Sequence, residues 1–327
     1  MKNIKIICTL GPSSFDKKTL NLLKKEKIHI FRINLSHTNK NEIKSKILYL
    51  KKNKIKNICL DTEGAQIRTT ETKHKFVLKK GSKVKIYNKS VNSNNKKIYL
   101  YPKFGLLSLK KGIKIDIGFN NLSVEVISKN LKENYLNCRV IKSGILESKK
   151  GVHINSKINL QSLTDKDIFA LELAKKMKIK YFAISFVNSH NDIRDVKKII
   201  GNDVFIISKI ETSNALKNLT KISNNSDALL IDRGDLSRYV PIEKIPVVQE
   251  HVVKFAIKRK KPTYVATNLL ETMIKETQPT RAESHDVYST LKQGVSGLVL
   301  AAETAIGLNP VECVKFLKRC IGVFKKN

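Results

Sequence analysis

Eight short apolar runs, at residues 4–8, 28–32, 57–60, 181–184, 204–207, 228–231, 263–266 and 297–300, recur along this chain. Between them lie segments in which apolar residues return every three or four positions, as at 192–200 and 243–258. Runs this short read as strands, and the intervening period reads as amphipathic helix. Repeated strand-then-helix units predict a parallel sheet covered by helices, because parallel neighbours need a crossover. From residue 70 to 153 the rhythm breaks into alternating stretches, "KFVLKKGSKVKIY", "GIKIDIGFNNLSVEVIS" and "LNCRVIK", punctuated by Gly and Asn. That pattern suits a small antiparallel β domain inserted after the third strand. Setting aside 70–153 leaves 243 of the 327 residues, close to the roughly 250 of an eightfold β/α barrel. The predicted fold is an α/β protein: an eightfold β/α (TIM) barrel from residues 1–69 and 154–327, carrying a β lid domain at 70–153. A doubly wound open sheet is the alternative on pattern alone.

Composition narrows the function classes. With 41% hydrophobic residues the chain can bury a substantial core. No stretch approaches the roughly eighteen apolar residues of a membrane span, and residues 1–14 lack the apolar core of a signal peptide, so no membrane partner and a cytoplasmic location are expected. Five cysteines, odd in number and without a CxxC pair, argue against a disulfide framework or a zinc site. The net charge of +35 would by itself favour a non-catalytic polyanion-binding protein. Only nine of the 63 basic residues are Arg, however, and the lysines are strewn along the chain without a basic tail. Specific nucleic-acid binding is therefore not expected, although the positive potential would steer phosphorylated small molecules inward.

In such barrels functional groups sit at the carboxyl ends of the strands, so the residues after each run carry the chemistry. After the second comes "FRINLSH". If the extended conformation continued, Arg32, Asn34 and Ser36 would point to one side, a cation followed by two oxygen-bearing side chains. The same run would also make a polar turn. His37 follows directly. After the third run, "LDTEGAQIRT" offers Asp61 and Thr62 as hard oxygen ligands, and Arg68 precedes the insert. The fifth run ends "IISKIE", which puts Lys209 and Glu211 on one side of the chain. A buried ion pair would account for them, but desolvation makes such pairs costly. After the sixth, "IDRGDLS" supplies Asp235 behind Gly234, whose missing side chain would let a ligand approach. Two carboxylates about 5 Å apart repel by roughly 3 kcal/mol at an effective dielectric near 20, so Glu211 and Asp235 need a cation between them. Oxygen ligands with open positions suit Mg²⁺ or Mn²⁺. After the seventh, Thr267 could orient substrate or cap a helix. The set meets the needs of phosphoryl transfer, where catalysis is mainly positioning and charge neutralisation. Neither a GxxxxGK[ST] loop nor a GxGxxG after a strand is present.

The blocks "IKIICTLGPSS", "RINLSH", "LDTEGAQIRT", "ESKKGV", "IISKIE", "RGDL", "VATNLLETM" and "PTRAESHDV" resemble the pyruvate kinase family in order and spacing, from residue 4 to about residue 310. The resemblance implies conversion of phosphoenolpyruvate and ADP to pyruvate and ATP. It makes Lys209 the cation that stabilises the enolate, and Glu211 and Asp235 the ligands of Mg²⁺ or Mn²⁺. Arg32 would clamp the phosphate, and Gly234 and Thr267 would line the substrate carboxylate. Asn34, Ser36, Asp61 and Thr62 match a K⁺ site, while Asn34, His37, Arg68 and Lys150 fall at positions associated with the nucleotide.

Several positions depart from the family pattern. Gln66 stands where a carboxylate accompanies potassium dependence, which leaves a K⁺ requirement open. Asp232 replaces a small residue and adds negative charge near the expected anionic substrate, which would weaken binding or favour another phosphoenolpyruvate-like or 2-oxo acid. The chain stops at Asn327, where most members continue into a third, effector-binding domain. Loss of that control and an altered homo-oligomer are the expectations. Lys209→Met is expected to abolish transfer while leaving the fold intact.

Overall fold

Eight parallel strands close into a barrel: β1 (Lys5–Leu10), β2 (Ile30–Asn34), β3 (Ile58–Asp61), β4 (Tyr181–Ile184), β5 (Phe205–Ile210), β6 (Ala228–Asp232), β7 (Thr263–Ala266) and β8 (Gly297–Leu300). The computed structural model describes residues 3–72, 74–89, 91–118, 122–156, 158 and 160–326. Each strand pairs with its successor, and β8 returns to β1 with Lys5 opposite Gly297. The doubly wound alternative is thereby excluded. Three strands, β4, β7 and β8, have the bounds their apolar runs predict. Strand β5 runs on to Ile210, past the predicted end at residue 207. Its apolar run is interrupted by Lys209, yet the backbone stays extended because this lysine is an inward-pointing member of the alternation.

The chain divides into two compact units, Met1–Gly64 with Asp165–Asn327, and Ala65–Thr164. In the first, side chains alternate between the barrel interior and the surrounding helices. Ile7, Ile30, Cys59, Ala183, Ile207, Leu230, Tyr264 and Val299 belong to one buried interior cluster, with Tyr181 and Phe205 packed against it. The helices present apolar stripes to the other side of the strands. His190–Ile200 buries Ile193, Val196 and Ile200, and its first turn is closed by a capping box of Ser189 and Asp192. Arg281–Lys292 is opened in the same way by Thr280 and Glu283. No helix of the described residues is long and apolar enough to cross a membrane.

One interior group is left over. The Tyr264 hydroxyl is buried and has no hydrogen-bond partner among the described residues. An unmet buried hydroxyl costs about 1–3 kcal/mol. Tyr264→Phe is therefore expected to stabilise the barrel by about 1 kcal/mol, and a fall in its melting temperature would contradict this.

In the second unit seven strands form one sheet, in the order Val152–Ile154, Lys114–Ile117, Leu122–Asn130, Tyr135–Lys142, Lys83–Tyr87, Lys97–Tyr101, Arg68–Thr69, and Phe76–Leu78 pairs separately with Gly144–Leu146. The interval 70–153 lies within this unit. Phe119, Asn120 and Asn121, in the turn predicted within "GIKIDIGFNNLSVEVIS", lie outside the described residues. The antiparallel expectation holds with one correction: Lys83–Tyr87 runs parallel to Lys97–Tyr101. A turn just before the second of these strands, in which Asn94 Oδ1 accepts from the Lys96 and Lys97 N–H groups at 2.8 and 2.9 Å, sends the chain in along that direction. Alternate residues such as Val84 and Ile86, Leu122 and Val124, and Leu136 and Cys138 fill this unit's own core.

Candidate active site

Following the inward alternation toward the carboxyl ends of the strands, the interior changes from apolar to charged. Ile7 gives way to Thr9, Ile30 to Arg32, Cys59 to Asp61, Ala183 to Ser185, Ile207 to Lys209 and Leu230 to Asp232. All six of these polar residues are buried. Arg32 donates from Nε to Thr9 Oγ1 at 2.9 Å and from Nη1 to Asp61 Oδ2 at 3.0 Å. Lys209 donates to Ser185 Oγ at 3.0 Å, and its ammonium lies 2.8 Å from Glu211 Oε1, 3.3 Å from Asp232 Oδ2 and 3.6 Å from Asp61 Oδ1. Burial alone would push this ammonium down; Asp61, Glu211 and Asp232 outweigh burial and the opposing Arg32, and hold it well above the ordinary lysine range. Lys209 is thus a fixed positive charge rather than a proton donor.

Three carboxylates, Glu211, Asp232 and Asp235, bring one oxygen each within 4.8 Å of one another. Glu211 Oε2 accepts from the Phe186 N–H at 2.6 Å. Its Oε1, fully buried, lies 2.8 Å from the Lys209 ammonium and has no other partner among the described residues. Burial pushes the Glu211 carboxyl up to about 8, with Lys209 opposing and Asp235 and Asp232 adding to the rise. Burial acts on Asp232 in the same direction, but Lys209 and Arg32 prevail and keep its carboxyl below the usual range. A hard cation fits this donor set: three carboxylate oxygens converge, and their mutual repulsion is what a cation would relieve. Asp235 also pairs with Arg238 at 3.3 Å.

The loops that carry these groups are pinned from outside the charged layer. Phe186 takes a left-handed backbone (φ 53°) and donates its N–H to Glu211 Oε2. Glu63 and Gly64 donate their N–H groups to the two oxygens of buried Asp167, at 2.7 and 3.1 Å, and Thr62 Oγ1 accepts from the Ser185 N–H at 2.9 Å. Gly234 donates its N–H to Thr267 Oγ1 at 2.9 Å, so this glycine is tied to the end of β7. Of the two roles considered for Thr267, the bond to Gly234 joins adjacent strand ends and caps no helix of its own loop.

One expectation about local conformation is overturned. Arg32 and Asn34 stay two apart on β2, but Ser36 does not continue the alternation, because Asn34 ends the strand and caps a 3₁₀ turn, Leu35–His37, with its Oδ1 accepting from the Ser36 N–H at 2.9 Å. The side-chain amide competes successfully for that N–H and stops the strand. His37 ends that turn. Arg68 and Lys150 belong to the second unit, where Lys150 pairs with Glu147 at 3.2 Å.

Sequence reasoning passed over Thr9, Ser185 and Asp167, and read Asp232 only as an intrusion. Thr9 and Ser185 had a signal, since each lies two residues beyond an interior apolar residue of its strand. Asp167 had none, because only the folded loop shows what its carboxylate receives.

The pyruvate kinase barrel-domain model matches residues 1–314. A pyruvate kinase of Thermotoga maritima is 33% identical, the match covering 98% of this chain and 70% of that protein. Those of Staphylococcus haemolyticus (33% identical, 97% of this chain) and Sporosarcina psychrophila (32%, 98%) are each covered over 56% of their length. The chain thus spans little more than half of the latter two relatives.

Proposed function

This chain belongs to the pyruvate kinase family, and from that membership we propose that it transfers the phosphoryl group of phosphoenolpyruvate to ADP, giving pyruvate and ATP. The observation that carries the reading is the buried Lys209 ammonium among Asp61, Glu211 and Asp232, beside three carboxylates whose oxygens converge. Transfer between highly charged anions needs fixed charges more than covalent help.

In this reading the bond between phosphorus and the enol oxygen breaks as an oxygen of the ADP β-phosphate bonds to phosphorus. The enol oxygen keeps the electron pair, and Lys209 stabilises the charge left there. Protonation of the enolate carbon then gives pyruvate. Arg32 has Nε and Nη1 tied to Thr9 and Asp61, which leaves the Nη2 edge to meet the phosphoryl oxygens. Thr267 would line the carboxylate of the substrate with Gly234. His37, Arg68 and Lys150 would serve the nucleotide phosphates. Mg²⁺ or Mn²⁺, held by Glu211 and Asp235, would neutralise charge on the oxygens between which the phosphoryl group moves.

Purified chain given phosphoenolpyruvate, ADP and Mg²⁺, with and without K⁺, is expected to form pyruvate and to stop when the divalent cation is chelated. Absence of pyruvate above background under both conditions would reject the reading. The charge of Asp232 favours a second one, the same chemistry on another phosphoenolpyruvate-like or 2-oxo acid. Turnover of such acids, with none of phosphoenolpyruvate, would select it.

A further inference from the structure

Asp232 ends β6, opposite Ala266 of β7, and is the last inward residue of its strand. Its contacts are all long. Oδ2 lies 3.3 Å from the Lys209 ammonium; Oδ1 accepts from Thr267 Oγ1 at 3.3 Å and from the Asp235 N–H at 3.5 Å. For a buried carboxylate these are weak partners, since charge-assisted hydrogen bonds usually close to about 2.7–2.9 Å. Beside it Glu211 Oε1, fully buried, has the Lys209 ammonium at 2.8 Å as its one partner among the described residues.

We propose that Asp232 is a third protein ligand of the divalent cation, so that Glu211, Asp232 and Asp235 form a three-carboxylate centre able to hold the metal before substrate arrives. The inference rests on the functional reading above. Ligands about 2.1 Å from one Mg²⁺ lie no more than about 4.2 Å apart. The three oxygens fall within 4.8 Å of one another, so a small side-chain rotation closes the set. Charge points the same way. Four carboxylates, those of Asp61, Glu211, Asp232 and Asp235, face three cations, Lys209, Arg32 and the Arg238 that pairs with Asp235, and the negative charge left over favours a dication. With a neutral side chain at 232 the metal-loaded site would carry one more positive charge for an anionic substrate. Asp232 therefore tightens metal binding and weakens binding of the anion, two effects of opposite sign from one side chain.

The test is Mn²⁺ binding to the full chain without substrate, followed by the electron paramagnetic resonance of free Mn²⁺, for the parent chain, Asp232→Asn and Glu211→Gln. Asn keeps an acceptor for Thr267 and the Asp235 N–H, so it preserves the turn; Asp232→Ala serves as a second variant. Asp232→Asn is expected to weaken Mn²⁺ binding about tenfold or more, to shrink the rise in melting temperature that Mn²⁺ causes, and to lower the KM for phosphoenolpyruvate. Parent-like Mn²⁺ affinity in both Asp232 variants, or no Mn²⁺ binding by the parent chain, overturns the assignment. If the parent binds Mn²⁺ and the variants bind it weakly, yet no pyruvate forms, the ligand assignment stands and only the substrate reading fails.

Discussion

Lys209→Met is expected to lower turnover about 10³-fold or more, because a single preorganised donor at a developing oxyanion is already worth roughly 10²–10³. Methionine has a similar length and keeps the strand apolar, which made an intact fold the expectation from sequence. The structure changes that second half. The ammonium is the partner shared by Asp61, Glu211 and Asp232. Its loss leaves buried carboxylates uncompensated, at a cost of about 3–5 kcal/mol. At this chain length that corresponds to a drop of roughly 10 °C in melting temperature. Part of the loss should be recovered as Glu211, whose carboxyl burial already pushes up and Lys209 no longer holds down, takes up a proton. Calorimetry and the pyruvate assay on one sample check both effects, and unchanged turnover would remove Lys209 from the role given to it.

The second large effect is expected at Gly64, which has no side chain and donates its N–H to Asp167. Its φ of +68° is one that a side chain adopts only under strain, and a Cβ there would lie 2.5 Å from the Ser185 carbonyl oxygen. Backbone cannot yield as a flexible side chain can. Gly64→Ala must therefore separate the loop after β3 from the loop after β4, at about 2–4 kcal/mol. Those loops share the bond from the Ser185 N–H to Thr62 Oγ1, and Ser185 in turn holds Asp61 and Lys209. A displacement near 1 Å typically costs about 10² in rate, so kcat/KM should fall by that order together with the melting temperature. A variant as stable and active as its parent would show that the two loops move independently.

The barrel was legible because its signal is local. A short apolar run followed by a period of three to four repeats eight times, and strand succession then dictates who pairs with whom. The inner charges were legible for the same reason, since Lys209 and Glu211 sit two apart on an extended run. The rest depended on what a residue meets rather than on what precedes it. Asn34 stops β2 because its side chain takes the Ser36 N–H. The parallel pair in the second unit depends on the turn that Asn94 makes with Lys96 and Lys97. Asp232 breaks a family pattern, and only coordinates show its carboxylate beside Lys209 and within reach of Glu211 and Asp235.

Apolar and charged side chains alternate on the same strands, so correct staggering and chemical competence are one property. Were 205–210 to slip by a single residue, Ser208 would enter the interior and Lys209 would face the helix layer. No partial enzyme lies between these arrangements. In a refolded preparation, specific activity would therefore count the molecules whose staves have locked at the right offset, a measure that helical content alone would miss.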